Sequence, residues 1–132
     1  GKKYRLPTLA EWKRAHTLGG GDEFVAQQES AWFEENSLDD EGFENRAMKV
    51  GSLPANKIGI HDMLGNASEW VSDQPMVIGG HFFSMVDELS STNTEQEDQN
   101  IWNATYPQLP KSIWWYKDAD YVGFRLACDA VE

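Results

Sequence analysis

The sequence predicts an α+β protein that is rich in irregular loops. Three observations predict this class: a capped amphipathic helix near the N-terminus, two short apolar strands at residues 76–78 and 121–127, and a long acidic stretch at residues 22–46 that follows neither the helical nor the strand period. These elements fit one domain, because 132 residues give room for a single core of modest size.

The first predicted element is a helix over residues 9–18. Thr8 and Glu11 have the spacing of a capping box, in which each side chain bonds the backbone N–H of the other residue, and Pro7 precedes them. Three glycines at positions 19–21 would end the helix. The residues that share its core-facing side are Leu9, Trp12 and Ala15 or His16.

The remaining elements are predicted from aromatic and polar patterns. Three aromatic side chains would fix the acidic stretch to the body of the protein; they are Trp32, Phe33 and Phe43. Gly123 would allow a close backbone approach within the second strand. Residues 90–103 are polar and acidic and predict an exposed excursion. Of Trp114 and Trp115, one is expected to pack against the second strand, and the role of the other stays open.

The composition excludes several classes of function. The formal charge of −11 disfavours nucleic acid and anionic membranes, since both are bound through clustered Lys and Arg. A hydrophobic fraction of 40% and six tryptophans argue against disorder. No run of 18 apolar residues occurs, so the sequence contains no candidate membrane span. Cys128 is the only cysteine, so this chain forms no internal disulfide, and we expect the thiol to be a small buried hydrophobe.

Residues 62–70, with the sequence DMLGNASEW, contain the most informative local pattern. Asp62 and Glu69 lie seven residues apart and bracket a Gly-Asn turn between apolar residues. Carboxylates at both ends, with exposed turn carbonyls between them, are oxygen ligands of the kind that Ca²⁺ takes. The alternative is a tight turn in which Asp62 caps nearby backbone N–H groups. Taken alone, the segment favours the tight turn.

Five segments, in one order along the chain, resemble the motifs of a single family. They are residues 4–12 (YRLPTLAEW), 31–37 (AWFEENS), 50–70 (from VGS to SEW), 78–80 (IGG) and 123–125 (GFR). Together they resemble the sulfatase-modifying factor, or formylglycine-generating enzyme, superfamily. The resemblance covers most of the chain and implies the C-type-lectin-like fold of that family, with much irregular structure.

The resemblance implies a calcium site in the segment 62–70. Carried over position by position, the ligands would be Asp62, Gly65, Ala67 and Glu69, with backbone oxygen atoms from the Gly and the Ala. An oxygen-only set without His or Cys suits calcium rather than zinc. A second calcium site of the family would correspond to Ser30, Ala31, Glu41 and Phe43.

The oxidase chemistry of the family depends on two cysteines after a Gly-Gly turn, which carry the copper-dependent oxidation of a substrate cysteine. By direct alignment these positions fall near Ser84 and Leu89. Copper(I) needs a soft thiolate ligand, so we do not expect formylglycine generation by this chain. His81 and Ser84 are the candidate residues of the corresponding cleft. No orienting carboxylate lies near His81 in sequence, which argues against its use as a base.

The resemblance also concerns the extent of the domain, because family domains begin well upstream of the motif at residues 4–12. We therefore expect residues 1–132 to form the C-terminal part of a single sulfatase-modifying-factor-like domain. The N-terminal part would be lost, removed or supplied by another chain. We expect the partner to be another protein chain or that missing half, with a small ligand or peptide as a further candidate, and the location to be the bacterial cell envelope or the exterior.

Three hypotheses for function follow. The primary one is a non-catalytic, calcium-stabilised binding or assembly module, in effect a pseudoenzyme. The alternative is a subunit or fragment of an enzyme of the same superfamily, whose chemistry lies in the missing half or a partner chain and whose shared cleft is lined by His81 and Ser84. The third is a variable ligand-binding protein of the retroelement-diversified lectin type, with residues 90–103 as the variable stretch.

Overall fold

The computed structural model describes residues 1–97 and 119–130 of the chain. In this part, two helices and six short strands are joined by long irregular segments, which confirms the predicted α+β class. The helical elements are α1 (Leu9–Leu18), α2 (Gly21–Gln28) and a 3-10 turn (Val86–Glu88). The strands are β1 (Tyr4–Arg5), β2 (Ser68–Trp70), β3 (Met76–Ile78), β4 (Thr94–Gln96), β5 (Val122–Gly123) and β6 (Ala127–Cys128). None of the described helices has the length and apolar character that crossing a bilayer requires.

Two sheets organise these strands. A four-stranded sheet has the order β4-β3-β2-β5, in which β2 and β5 run parallel and the other neighbours run antiparallel. Glu69 of β2 lies opposite Ile78 on one side and Gly123 on the other, so it occupies the centre of the sheet. A separate antiparallel pair, β1 with β6, joins the two ends of the described chain.

The helix α1 begins and ends where the sequence predicts. The Glu11 N–H donates to Thr8 Oγ1 at 3.1 Å, and the Thr8 N–H donates to Glu11 Oε1 at 3.0 Å, which confirms the capping box. Gly19 caps the C-terminal end. Trp12 and His16 are buried, and Leu9 and Ala15 pack against the core, as predicted for this face.

The core lies between α1, α2 and the four-stranded sheet. Its buried apolar members are Trp12, Val25, Ala31, Met63, Leu64, Val71, Met76 and Ile78. Gly79 passes close to this cluster, because a Cβ there would meet the ring of Trp12 at 3.1 Å and the carbonyl oxygen of Met63 at 2.7 Å. The core therefore requires a glycine where β3 leaves the sheet.

The interpretation of residues 22–46 as one long loop is wrong at its N-terminal end, where α2 forms. Only Val25 of this helix is buried, and no side chain caps its first turn, so neither a face nor a cap marks it in the sequence. A tertiary contact stabilises it instead: His16 Nε2 of α1 and Asp22 Oδ1 of α2 lie 2.6 Å apart. Gly20, with φ of 112°, connects the two helices in a conformation that suits glycine.

The aromatic residues of this stretch behave differently from one another. Trp32 contacts the body, since its Nε1–H donates to Ser52 Oγ at 3.2 Å and its carbonyl accepts the Asn66 N–H at 2.7 Å. Phe33 is half-buried. The prediction for Phe43 is wrong, because its side chain is 81% exposed on a turn closed by the bridge between Leu38 and Asn45.

The predicted strand at 121–127 is two strands, because residues 124–126 leave the four-stranded sheet and carry the chain to β1. A Cβ on Gly123 would lie 3.3 Å from that of Ala67, which confirms the predicted close approach. Cys128 is exposed rather than buried, because among the described strands β6 pairs only with the short strand β1.

The predicted excursion at 90–103 is partly ordered structure. Residues 94–96 form β4, which pairs with β3 at the edge of the sheet, so the prediction is wrong there. Residues 98–103 lie outside the described residues, as do Trp114 and Trp115.

We expect Thr8→Ala to lower the free energy of unfolding by about 1 kcal/mol, because the substitution removes the side-chain cap of α1. Urea denaturation followed by circular dichroism measures this change. Thr17→Ala is the matched control, since Thr17 is exposed within the same helix and alanine there favours helix. A Thr8→Ala variant as stable as the control would show that the capping box does not stabilise α1.

Candidate functional site

Residues 62–67 form a tight loop that leads into β2. Asp62, Gly65 and Asn66 all have left-handed backbones, with φ of 56°, 75° and 60°. A Cβ on Gly65 would lie 2.3 Å from the carbonyl oxygen of Trp32, so this position has room only for glycine. The Gly-Asn turn that the sequence predicts is therefore present, and its shape is fixed by a neighbouring backbone.

Asn66 anchors this loop, a role that the sequence pattern does not reveal. It is buried, and its side chain accepts the Met48 N–H at 2.8 Å and donates to the Met48 carbonyl at 3.1 Å. Its carbonyl accepts the Phe82 N–H at 2.9 Å. Because its N–H also donates to the Trp32 carbonyl, Asn66 binds the loop to three other segments, which explains why an amide is required beside the glycine.

Glu69 forms the central ion pair of the site. Its side chain is 6% exposed, and Arg125 donates to it twice, from Nε to Oε1 and from Nη2 to Oε2, the latter at 2.9 Å. Trp12 Nε1 lies 3.4 Å from Oε1. The sequence identified Arg125 as part of the closing GFR motif, but no spacing rule connected it with Glu69.

Burial and pairing act on Glu69 in opposite directions. Removal from water raises the pKa of the Glu69 carboxyl, and the bidentate contact with Arg125 works against that rise. The negative charge of Asp62 adds a smaller contribution that also raises the pKa of Glu69. A cation that bound both acids would relieve this repulsion.

One carboxylate oxygen of Asp62 accepts a hydrogen bond in the described structure, and the other accepts none. Its Oδ2 accepts the Gly51 N–H at 2.8 Å, in line with the interpretation that it caps a backbone donor. Its Oδ1 is buried and has no hydrogen-bond partner among the described residues. Both interpretations of Asp62 therefore fit, because each uses a different oxygen.

The oxygen atoms proposed for calcium fit such an ion in their chemistry. Within residues 1–97 and 119–130, the carbonyls of Gly65 and Ala67 accept no hydrogen bond from a side chain or from a turn or loop backbone. Glu69 has lone pairs beyond those that Arg125 uses. No group of three or more His, Cys, Asp or Glu side chains is arranged to hold a metal in the described part, so the predicted set depends on two acids and two carbonyls.

The residues of the predicted second calcium site have different surroundings. Ser30 and Ala31 are buried directly after α2, whereas Glu41 and Phe43 are exposed on the turn between Leu38 and Asn45. This second site stays a prediction.

The turn at residues 81–84 contains the two cleft candidates. The His81 N–H donates to Ser84 Oγ at 3.0 Å, and the Ser84 N–H donates to the His81 carbonyl at 2.9 Å. The Ser84 carbonyl accepts the Glu34 N–H at 3.0 Å, and its side chain is buried. The hydroxyl of Ser84 therefore closes a turn.

His81 stacks on Tyr121, with ring centroids 4.1 Å apart, and the Tyr121 hydroxyl donates to Glu95 Oε1 at 2.5 Å. Burial lowers the pKa of His81, and the charges of Glu95, Glu88 and Asp120 oppose this. His81 Nδ1 accepts the Phe83 N–H at 3.1 Å, which leaves the proton of the neutral ring on Nε2. The fold thus brings carboxylates to His81 that sequence distance concealed.

The described fold and the loop at 62–70 define the class of this protein, an α+β protein with the C-type-lectin-like fold. The chain belongs to the sulfatase-modifying factor enzyme 1-like domain family, whose model matches residues 1–130. The recognition from the five ordered segments is therefore confirmed.

Several known proteins are similar to the chain. Among solved structures, Treponema denticola variable protein 1 has a TM-score of 0.68 at 22% identity over 96% of this chain. PvdO from Pseudomonas aeruginosa has a TM-score of 0.62 at 21% identity, and CarF has a TM-score of 0.55 at 24% identity. Each of these two matches covers 98% of this chain. The chain spans about half of each of these, 48%, 54% and 48% respectively, and at these identities the likeness concerns the fold.

A curated relative is chaperone protein LppX of Paenibacillus barcinonensis. It is 33% identical over 84 residues, which cover 51% of this chain and 30% of that protein. The chain therefore corresponds to a limited part of each of these relatives.

We expect Arg125→Met to lower the free energy of unfolding by about 3 kcal/mol, because it leaves the buried Glu69 carboxylate without its partner. Chemical denaturation measures the loss, and Glu69→Gln in the same chain should recover part of it. The control is Arg46→Met, which removes an exposed pair with Asp40 at 3.7 Å and should cost about 0–1 kcal/mol. Equal losses for the two single variants would contradict a central role for the pair.

Proposed function

We propose that the chain is a non-catalytic, calcium-stabilised module of the formylglycine-generating-enzyme-like superfamily that binds or assembles with another protein. The observation that carries the proposal is the turn at residues 81–84. At the position aligned with the first family cysteine, Ser84 is buried, and its hydroxyl accepts the His81 N–H. A side chain used in this way supports the turn and supplies no thiolate for copper.

The other thiol positions support the same proposal. Leu89, aligned with the second cysteine, packs against the core. Cys128, the only cysteine in the chain, is exposed on β6, in the two-stranded sheet at the ends of the described chain. The chemistry of paired thiols needs two sulfur atoms in contact, and this chain has one.

Calcium is proposed for the loop at 62–70. The ligands would be Asp62 Oδ1, the carbonyl oxygens of Gly65 and Ala67, and the carboxylate of Glu69. The orphaned Oδ1 atom and the mutual repulsion of the two acids support this proposal. When bound, the ion would supply positive charge that ties the start of the loop to β2.

The partner is proposed to be another protein chain or the remaining part of the domain. The chain spans about half of the solved neighbours, 48% of variable protein 1 and 54% of PvdO. A relative named as a chaperone protein is in keeping with a module that contacts other proteins. A bacterial envelope or secreted location is proposed with it.

A second candidate function is a subunit of an enzyme whose chemistry lies in the other half or on a partner chain. The stacking of His81 on Tyr121, whose hydroxyl donates to Glu95, favours this candidate. In an assembled complex with an assayable activity, His81→Gln with retained folding should then abolish turnover. An unchanged rate would reject this candidate.

Calcium should raise the midpoint of thermal unfolding. An ion at 100 times its dissociation constant adds about 2.7 kcal/mol, because it binds the folded state alone. Differential scanning calorimetry after chelation, with calcium restored or magnesium in its place, measures the increment. Asp62→Ala should lose it. The matched control is Asp39→Ala, which also removes one backbone hydrogen bond, from Phe43 at 2.9 Å, and should keep the increment. No calcium response in the unsubstituted chain would reject the calcium proposal.

The purified chain should not oxidise a cysteine-containing peptide in the presence of copper and oxygen. Mass spectrometry of the peptide detects conversion of the thiol to an aldehyde. Cys128→Ser serves as the control for background chemistry at the exposed thiol. Copper-dependent aldehyde formation by the unsubstituted chain would overturn the non-catalytic assignment.

A further inference from the structure

A cleft of about 630 Å³ opens beside α2 and reaches the loop at 62–70 through Leu64. Ligand pockets commonly measure roughly 300–1,000 Å³, so this cleft has the size of a binding site. One face of α2 lines it together with Ala31, Phe33, Glu35, Asn36, Leu53, Leu64, Val86 and Leu89. We refer to it as the α2 cleft.

The helix α2 presents one side to the cleft. The lining residues of this helix are Asp22, Val25, Ala26 and Glu29, which have the i, i+3, i+4 and i+7 spacing of a single helical face. Glu23 lies off this face and forms a hydrogen bond of 3.0 Å with Gln27. The helix and its C-cap therefore place two of their three acidic residues, Asp22 and Glu29, at the cleft, and Glu23 lies elsewhere.

Most of the lining is apolar, and the apolar surface continues outside the cleft. The apolar lining includes Val86, Leu89 and Phe33. Close to Val86 in the sequence, Phe83 and Met85 are 46% and 57% exposed, and Val86 itself is 58% exposed. An apolar strip that runs out of a cleft fits an extended ligand better than a small compact one.

The charges that line the α2 cleft are all negative. They come from Asp22, Glu29 and Glu35, and no Lys, Arg or His is among the lining residues in the described part of the chain. Asp22 already accepts hydrogen bonds from His16, Ser90 and the Ser91 N–H. The charges open to a ligand are therefore those of Glu29 and Glu35, and Glu29 caps the C-terminal end of α2, where the helix dipole adds negative potential.

We propose that the α2 cleft binds a peptide segment of a partner protein in which a basic side chain stands next to apolar ones. The acidic groups would pair with the basic side chain, and the apolar walls and strip would cover its neighbours. A second copy of this chain fits less well, because each copy carries a formal charge of −11. This proposal rests on the proposed function as a binding module and names the chemistry of its ligand.

Nuclear magnetic resonance tests the proposal with three probes of defined sequence. They are the blocked tetrapeptide Lys-Leu-Phe-Lys, its counterpart Glu-Leu-Phe-Glu, and lysine amide. The basic peptide should shift the amide signals of Ala26, Ala31, Leu64 and Leu89, and the acidic peptide should bind at least tenfold more weakly. Added salt should lower the affinity for the basic peptide, because salt screens the attraction between exposed charges.

Matched charge variants separate the cleft from the general acidity of the surface. The double substitution Glu29→Gln with Glu35→Gln should lower the affinity for the basic peptide by about three- to tenfold, which is the effect of losing two partly exposed ion pairs. Glu23→Gln with Glu44→Gln removes the same charge outside the cleft and should leave the affinity within about twofold. Equal losses for the two pairs would overturn the assignment to the cleft.

Other outcomes are equally decisive. If lysine amide binds as tightly as the peptide, the ligand of the cleft is a small amine and the peptide proposal is rejected. A concentration-dependent dimer in sedimentation that Val86→Asp dissociates would assign the surface to a second copy of the chain. Shifts absent from the cleft, while calcium still raises the unfolding temperature, would reject this inference and leave the proposed function standing. If the peptide shifts the cleft signals but calcium gives no thermal response, the calcium proposal is rejected and the peptide inference stands.

Discussion

The pair of Glu69 and Arg125 is the interaction on which the rest of the described structure depends. Glu69 lies at the centre of the four-stranded sheet, between β3 and β5, and an ionised carboxylate there requires a partner of opposite charge. Arg125 Nη2 also donates to the carbonyls of His61 and Asp62, each at 3.0 Å. One guanidinium therefore fixes both the start of the loop and the strand that follows it.

The same ion pair fixes the shape of the loop but does not neutralise its negative charge, so a cation can still bind there. Two carboxylates and one guanidinium leave one net negative charge at the site. Arg125 uses lone pairs of Glu69 but does not reach Asp62 Oδ1, which stays buried and without a partner in the described part of the chain. The loop therefore has its shape before a cation arrives, and the cation would add to an existing framework.

The sequence predicted those parts of the fold that depend on neighbouring residues. The capping box of α1 is complete within four residues, and Gly65 marks its turn through its own backbone, so local rules find both. The helix α2 has no such mark, because His16 holds it from another helix. Aromatic character alone did not reveal that Phe43 is exposed, since much protein surface is apolar. Within the candidate site, the motif positions were found, but the ion pair of Glu69 was not, because pairing across distant segments follows no spacing rule.

The parallel pairing of β2 with β5 has a consequence for the order of folding. β2 ends at Trp70 and β5 begins at Val122, so the sheet closes only after a long intervening segment exists. Non-local parallel contacts form slowly, because loop closure precedes any gain from the contact. During synthesis, Glu69 emerges long before Arg125, and its carboxylate must stay hydrated until the GFR segment arrives. The GFR segment therefore allows Glu69, and with it the centre of the sheet, to be buried away from water.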